Sequence, residues 1–134
     1  MEIDRTYVWS HCETWIKAWN QRDLNKILAH YEEQFTCISP KIALFYPNNK
    51  DLTLRTKTEL RDYFYKAMQQ LPKMKFEMVD VIFDPIGRKA VLDYWNHMTP
   101  TRSVRVLERM HFSRDGKIDN VLVGYGIEKE GATD

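Results

Sequence analysis

Cysteine, glycine and proline are all sparse, and neither sign of charge dominates. The chain of 134 residues holds two cysteines, five glycines and five prolines. Cys12 falls in a helix pattern and Cys37 in a strand pattern, with no metal-ligand spacing between them. Both read as reduced core residues of a cytoplasmic protein. Twenty basic against 19 acidic side chains leave a net charge of +1, a balance that asks for neither nucleic acid nor an anionic membrane. No apolar run approaches the roughly 20 residues of a membrane span. Charged Glu2, Asp4 and Arg5 stand where a signal peptide would carry its apolar segment. There is no internal repeat, no low-complexity stretch and no glycine-rich phosphate loop, and Ser39 lacks a nucleophile motif. His11, His30, His97 and His111 are scattered, the last two on an outward strand face, so no metal site is expected.

What is present is a core. With 43% hydrophobic and 13% aromatic residues, the chain has enough apolar material to fold as one ordinary domain. Val8, Trp9, Cys12, Trp15, Ile16 and Trp19 recur at threes and fours, which predicts a helix from about Thr6 to Asn20. Asp23 looks like the N-cap of a second, shorter helix carrying Leu24, Ile27, Leu28 and Tyr31 inward. Gln34 to Ser39 reads as a short strand ended by Pro40, Lys41 to Tyr46 as a second short apolar run, and Pro47 to Asp51 as a loop. Thr56 and Glu59 form a capping box for a third helix, with Leu60, Tyr63, Phe64, Ala67, Met68 and Leu71 inward and Pro72 as its stop. Four long strands follow. The order, helices first and strands last, predicts an α+β fold in which a curved antiparallel sheet wraps about three helices. Such a half-wrapped sheet leaves a cone whose mouth admits a small ligand. The domain is expected to span residues 1–126, with 127–134 a frayed polar tail.

The last two strands carry the chemical clue. Asp115-Gly116 between two apolar-rich runs signals a hairpin. Alternation sets Val104, Val106, Glu108, Met110 and Phe112 on one face and Ser103, Arg105, Leu107, Arg109 and His111 on the other. Glu108 is the one charge on an apolar face, where a carboxylate has to be paired, protonated or working. A two-residue turn at Asp115-Gly116 sets Glu108 opposite Val123, Met110 opposite Val121 and Val106 opposite Tyr125. A loop at Thr99–Thr101 sets Leu92 opposite Glu108, Tyr94 opposite Val106 and Asn96 opposite Val104. The inward polar groups are then Tyr94, Asn96, Glu108 and Tyr125. Arg102, Arg105 and Arg109 are assigned to the outer face with Leu107 and Trp95, a solvated or subunit-contact face.

The ordered set of segments resembles the SnoaL-like proteins of the nuclear transport factor 2-like superfamily. The resemblance runs through Trp15–Tyr31 (WIKAWNQRDLNKILAHY), Ser39-Pro40, Leu60–Phe64 (LRDYF), Leu71-Pro72, Phe76-Glu77, Tyr94, Glu108, Phe112 and Asp115–Ile118 (DGKI). It spans about Tyr7 to Gly126 and implies a cone-shaped α+β barrel, usually a homodimer through the outer sheet face. The superfamily includes polyketide cyclases, ketosteroid isomerases, epoxide hydrolases, dehydratases and non-catalytic binding domains, so the fold names no single activity. Many of its enzymes place an acid on the last strand, where this chain has Val121 and Val123.

Two classes of function follow as expectations. In the first, Glu108 shuttles a proton on a small, mostly apolar, carbonyl-bearing or cyclic substrate, as an isomerase, cyclase or hydrolase that needs no cofactor. Tyr94, Asn96 and Tyr125 would hold polar atoms of that substrate, with Trp19, Met110 and Val123 as further substrate-binding residues lining the pocket. In the second, the same cup binds a hydrophobic metabolite without chemistry, or closes into a structural dimer. Glu108 is then a structural acid bonded to Tyr94, Tyr125 or Trp19, and the two tyrosines and Trp15 and Trp19 are core.

Overall fold

The computed structural model describes residues 2–131. Helix α1 (Arg5–Asn20) starts where the Asp4 carboxylate accepts the Tyr7 amide at 2.8 Å. Its buried face is Val8, His11, Cys12, Trp15, Ile16, Ala18 and Trp19, one stripe at helical spacing. The helix ends with Arg22 in the left-handed region at φ 58°. From there the Arg22 guanidinium donates to the carbonyls of Leu71, Pro72 and Met74. Asn20 accepts the Phe76 amide at 2.8 Å and donates to the Phe76 carbonyl at 2.9 Å. These bonds fix the end of α1, and with it Trp19, against the start of the sheet's far edge.

Helix α2 (Leu24–Leu28) is capped by Asp23. Then come β1 (Tyr31–Ile38), α3 (Ile42–Phe45), β2 (Thr53–Thr56) and α4 (Lys57–Gln70), the last opened by the expected Thr56/Glu59 capping box. Strands β3 (Lys75–Asp84), β4 (Lys89–Thr99), β5 (Arg102–Phe112) and β6 (Ile118–Glu130) complete the chain. The six strands form one curved sheet in the order β2-β1-β6-β5-β4-β3. Helices on its inner face bury Trp15, Tyr31, Leu60, Leu92, Met110 and Phe112 in one core.

The expected registers are present. Glu108 pairs with Val123 and Leu92, Met110 with Val121, and Val106 with Tyr125 and Tyr94, while Asn96 pairs with Val104.

Several expectations are corrected. The sheet is mixed, because β1 runs parallel to β6. There are four helices among the described residues, since the apolar run Lys41–Tyr46 contains α3. Tyr31 opens β1 instead of closing α2, and β2, a four-residue edge strand, went unread.

The hairpin keeps its register but not its two-residue turn. Ser113–Lys117 form the loop, Gly116 takes φ 75°, and an irregularity between His111 and Phe112 absorbs the difference, as a bulge does. The polar segment from residue 127 is not frayed up to 130. Ile127–Glu130 continue β6 opposite Arg102–Val104. Their polarity fits a strand whose other side β1 leaves after Leu122, so backbone pairing to β5 orders residues with little to bury. Residues 132–134 of that expected tail lie outside the described residues.

Candidate functional site

A cavity of about 310 Å³ lies between the inner sheet face and helices α1, α3 and α4, a size at the lower end for small-ligand sites. Its wall is mostly aromatic and aliphatic. Trp15 and Trp19 come from α1, Tyr63 and Phe64 from α4, Phe76 from β3 and Val121 and Val123 from β6. These residues line the cavity because helical and strand periodicity put them inward, and their rings pack together. Trp19 sits 4.7 Å from Phe64 and 5.0 Å from Phe76 between ring centroids.

Glu108 is set into this wall from the middle strand of the inner face, only 7% exposed. Tyr94, two positions further along β4 from its neighbour Leu92, donates its hydroxyl to Glu108 Oε1 at 2.8 Å. Burial pushes the Glu108 carboxyl up to about 7, against the opposing pull of the Tyr94 bond, which favours the ionised form. A carboxyl raised from its usual range towards neutrality is suited to both taking and giving a proton, the condition a proton shuttle needs. Behind Tyr94, Trp15 Nε1 donates to the Tyr31 hydroxyl at 3.1 Å. The Tyr94 and Tyr31 hydroxyls are held well above their usual range by burial and then by the Glu108 charge.

Two residues of the cavity wall each carry a side-chain polar atom without a partner. Trp19 Nε1 and Asn96 Oδ1 are both buried without a hydrogen bond. Buried groups of this kind are rare in folded proteins and call for a reason. One is a donor and the other an acceptor, and both belong to residues that line the cavity that contains Glu108.

Tyr94, Asn96, Tyr125, Trp19, Val123 and Glu108 therefore line one cavity. Met110 does not. It shares the inward face of β5 but is fully buried in the packed core and off the cavity wall. Tyr125 stands towards the mouth, with Lys41 Nζ 4.3 Å from its ring centroid.

Sequence reasoning missed Lys41 and Arg102 as lining residues. Lys41 was legible as a lone cation beginning an apolar run. Arg102 has the parity of Val104 and Glu108, and a strand irregularity before it leaves it at the mouth, ion-paired to Glu128, not on the outer face. Cys37 and Ser39 also line the cavity.

The sequence also gave no hint that His11 and His30 would meet. The His11 Nε2 to His30 Nδ1 distance is 3.0 Å and the ring centroids are 4.2 Å apart. Burial, with His30 next to it, lowers His11 to about 3, and burial lowers His30 to about 4. Among the described residues no group of three or more His, Cys, Asp or Glu is placed to hold a metal ion, and no helix is long and apolar enough to cross a membrane.

Solved structures share this architecture. A SnoaL-like protein of unknown function from Burkholderia thailandensis superposes with a TM-score of 0.84 at 25% identity, over 95% of this chain and 100% of that one. A cystatin-like fold protein of unknown function from Methylobium petroleophilum gives 0.78 at 17% identity, over 95% and 80% of the two chains. The epoxide hydrolase/cyclase-like enzyme SalBIII, described for pyran ring formation in the polyether salinomycin, gives 0.77 at 16% identity over 98% and 100%. Among curated proteins none matches this sequence. The model of the SnoaL-like domain matches residues 12–121, which carry β1, α4, most of the sheet and Glu108. The chain belongs to the SnoaL-like family.

Proposed function

We propose that this protein binds a small, mostly apolar, carbonyl-bearing or cyclic molecule and moves a proton on it with Glu108, without a cofactor. The observation that carries the proposal is a buried carboxyl on the cavity wall, bonded to Tyr94 and pushed up to about 7 by burial, among lining side chains of which Trp19 and Asn96 each keep a buried polar atom without a partner. In the ionised state Glu108 takes a proton from carbon next to the carbonyl. The carbonyl oxygen, gaining charge, accepts from the Trp19 indole N–H. Protonated Glu108 then returns the proton to another carbon of the conjugated system, which completes an isomerisation, or, after the enolate carbon has attacked a second carbonyl of the same molecule to form the ring bond, to the resulting alkoxide, which completes a cyclisation. Tyr94 keeps the carboxyl oriented, and Asn96 takes a hydroxyl or N–H of the substrate. The epoxide hydrolase/cyclase-like enzyme SalBIII, described for pyran ring formation, is a ring-forming enzyme on the same fold.

The test is hydrogen–deuterium exchange at the α-carbons of a panel of cyclic ketones, 2-tetralone and 2-indanone among them, followed by NMR. The wild type accelerates exchange, and Glu108→Gln loses it by about 10²-fold or more while binding the same ketones. A second reading, a binding module without chemistry, draws on Val121 and Val123, which with Tyr125 leave the cavity-lining positions of β6 without an acid. It is favoured if the ketones bind equally well to both proteins and neither exchanges.

The same reading makes the protein a homodimer through the outer sheet face. Leu107 and Leu122 are 48% and 38% exposed there. Gly124, opposite Leu107, leaves the surface flat between them. Exposed apolar groups on a flat sheet face suit an isologous contact. The two free, buried cysteines fit a reducing compartment, and we assign the protein to the cytoplasm.

A further inference from the structure

We propose that the molecule held in this cavity carries a carboxylate, seated at the mouth against Lys41 with its apolar body directed towards Trp19 and Glu108. The inference rests on the reading of the cavity as a ligand site and adds the class of ligand. Three charged side chains line the wall, Glu108, Arg102 and Lys41. Glu108 is bonded to Tyr94. Arg102 has its counter-charge in Glu128, and Glu130 lies opposite it across the strand pair.

Lys41 is different. Its ammonium lies 4.3 Å from the Tyr125 ring centroid and 3.9 Å from the Met98 sulfur. No carboxylate among the described residues lies within ion-pair distance of it. Glu128 acts on it only from further off. Lysine ordinarily carries its ammonium out to water. Here the head group is folded over a ring and a thioether at the edge of an apolar cavity. It has three N–H donors, and an aromatic face and a sulfur answer them weakly. A carboxylate is the group that answers them fully, by charge and by hydrogen bonds together.

The arrangement also sets direction. Ionised Glu108 repels a carboxylate from the interior while Lys41 attracts it to the mouth. One end of the ligand is therefore excluded from the floor, and selection by repulsion adds to selection by attraction. The carbon that faces Glu108 is then at the end remote from the acid.

The matched probes are naphthalene-2-carboxylate and naphthalene-2-carboxamide, which differ in charge and hardly in shape. Their affinities are measured by titration calorimetry with the full chain at about pH 7.5, for the wild type, Lys41→Met and Lys41→Arg. The wild type is expected to prefer the carboxylate by about tenfold at low salt, a preference that shrinks as salt is added. Lys41→Met keeps the apolar stem, so it should lose that preference and bind the carboxamide as before, which also shows that it folds. Lys41→Arg should retain the preference. Equal binding of the two probes by the wild type, or an unchanged preference in Lys41→Met, overturns the inference and leaves the pocket reading standing. Binding of neither probe to any of the three proteins overturns both.

Discussion

Replacing Glu108 by Gln should stabilise the protein in a way that grows with pH, and the size of the effect follows from the burial of one carboxyl. In the unfolded chain the group ionises near 4.5, and in the folded protein near 7. Below 4.5 both states carry the proton and the site contributes no pH dependence. Between 4.5 and 7 the unfolded chain sheds a proton that the folded protein keeps, so stability falls as pH rises, by about 1.4 kcal/mol per pH unit. Above 7 both states are ionised and the loss levels off. Integrated, the wild type forgoes about 2 kcal/mol at pH 6 and about 3 kcal/mol at pH 8 relative to a neutral group of the same shape. Glutamine is that group, and its carbonyl can accept the Tyr94 hydroxyl as the carboxylate does. Any fixed difference in packing shifts the whole curve without tilting it. The measurement is urea unfolding of both proteins from pH 4 to pH 9, reading the difference in stability at each pH. A difference that climbs through this window and flattens above about 7 is the expected result. A difference that stays constant would mean that Glu108 ionises alike in both states, and the proton-transfer proposal would lose its foundation.

The His11–His30 pair should govern the acid limb in the opposite sense. Both are lowered in the folded state, to about 3 and about 4, so stability is lost as pH falls from about 6.5, and His11→Phe should make that limb shallower in acid unfolding curves. Tyr94→Phe removes the bond that favours ionised Glu108. Such a charge-assisted bond is worth roughly 1.5–3 kcal/mol, so the rise of exchange activity with pH should move upward by about one pH unit or more, and an unmoved profile refutes the role given to Tyr94. Leu107→Glu places a charge on the outer face, and sedimentation velocity should show the wild-type dimer reduced to monomer. A wild type that is already monomeric removes the proposed interface.

Much of the site was legible because strand periodicity is strict. The pairing of Glu108 with Val123 and Leu92 followed from alternation and from the apolar match across the hairpin, although the turn that sets it is a five-residue loop with a compensating irregularity. Register was fixed by what the inner face had to bury, not by the turn. What could not be read were features whose cause lies in distant partners. β2 is short and half polar, and it forms because β1 offers it an edge. Ile127–Glu130 look like a tail because their order comes from backbone pairing to β5 and from charge contacts such as Glu128 with Arg102. α3 has four residues, too few for periodicity to register. The meeting of His11 with His30, and of Lys41 with Tyr125, joins elements that no local pattern relates. Met110 shows the reverse limit. Facing inward is necessary for lining a cavity and not sufficient, because the inner face is longer than the cavity it encloses.

A purely structural reading of Glu108 has to account for its neighbours as well as for the acid. A core shaped only for stability would place an apolar residue or a glutamine at this position, avoiding the cost of ionisation, and would pair its indole and amide groups. Here the carboxyl is retained with its one tyrosine, and two residues of that cavity wall, Trp19 and Asn96, each keep a buried atom without a partner, the donor Nε1 and the acceptor Oδ1. Asn20 binds both backbone polar groups of Phe76, while Arg22 turns one guanidinium nitrogen to three carbonyls and leaves Nη1 buried without a partner. Two of the three such atoms among the described residues belong to side chains that line the cavity with Glu108, and the proposed carbonyl-bearing ligand would supply their missing partners. That is why Trp19→Phe should leave the fold at least as stable while weakening the hold on that ligand, a pairing of effects that a residue kept for packing alone would not show.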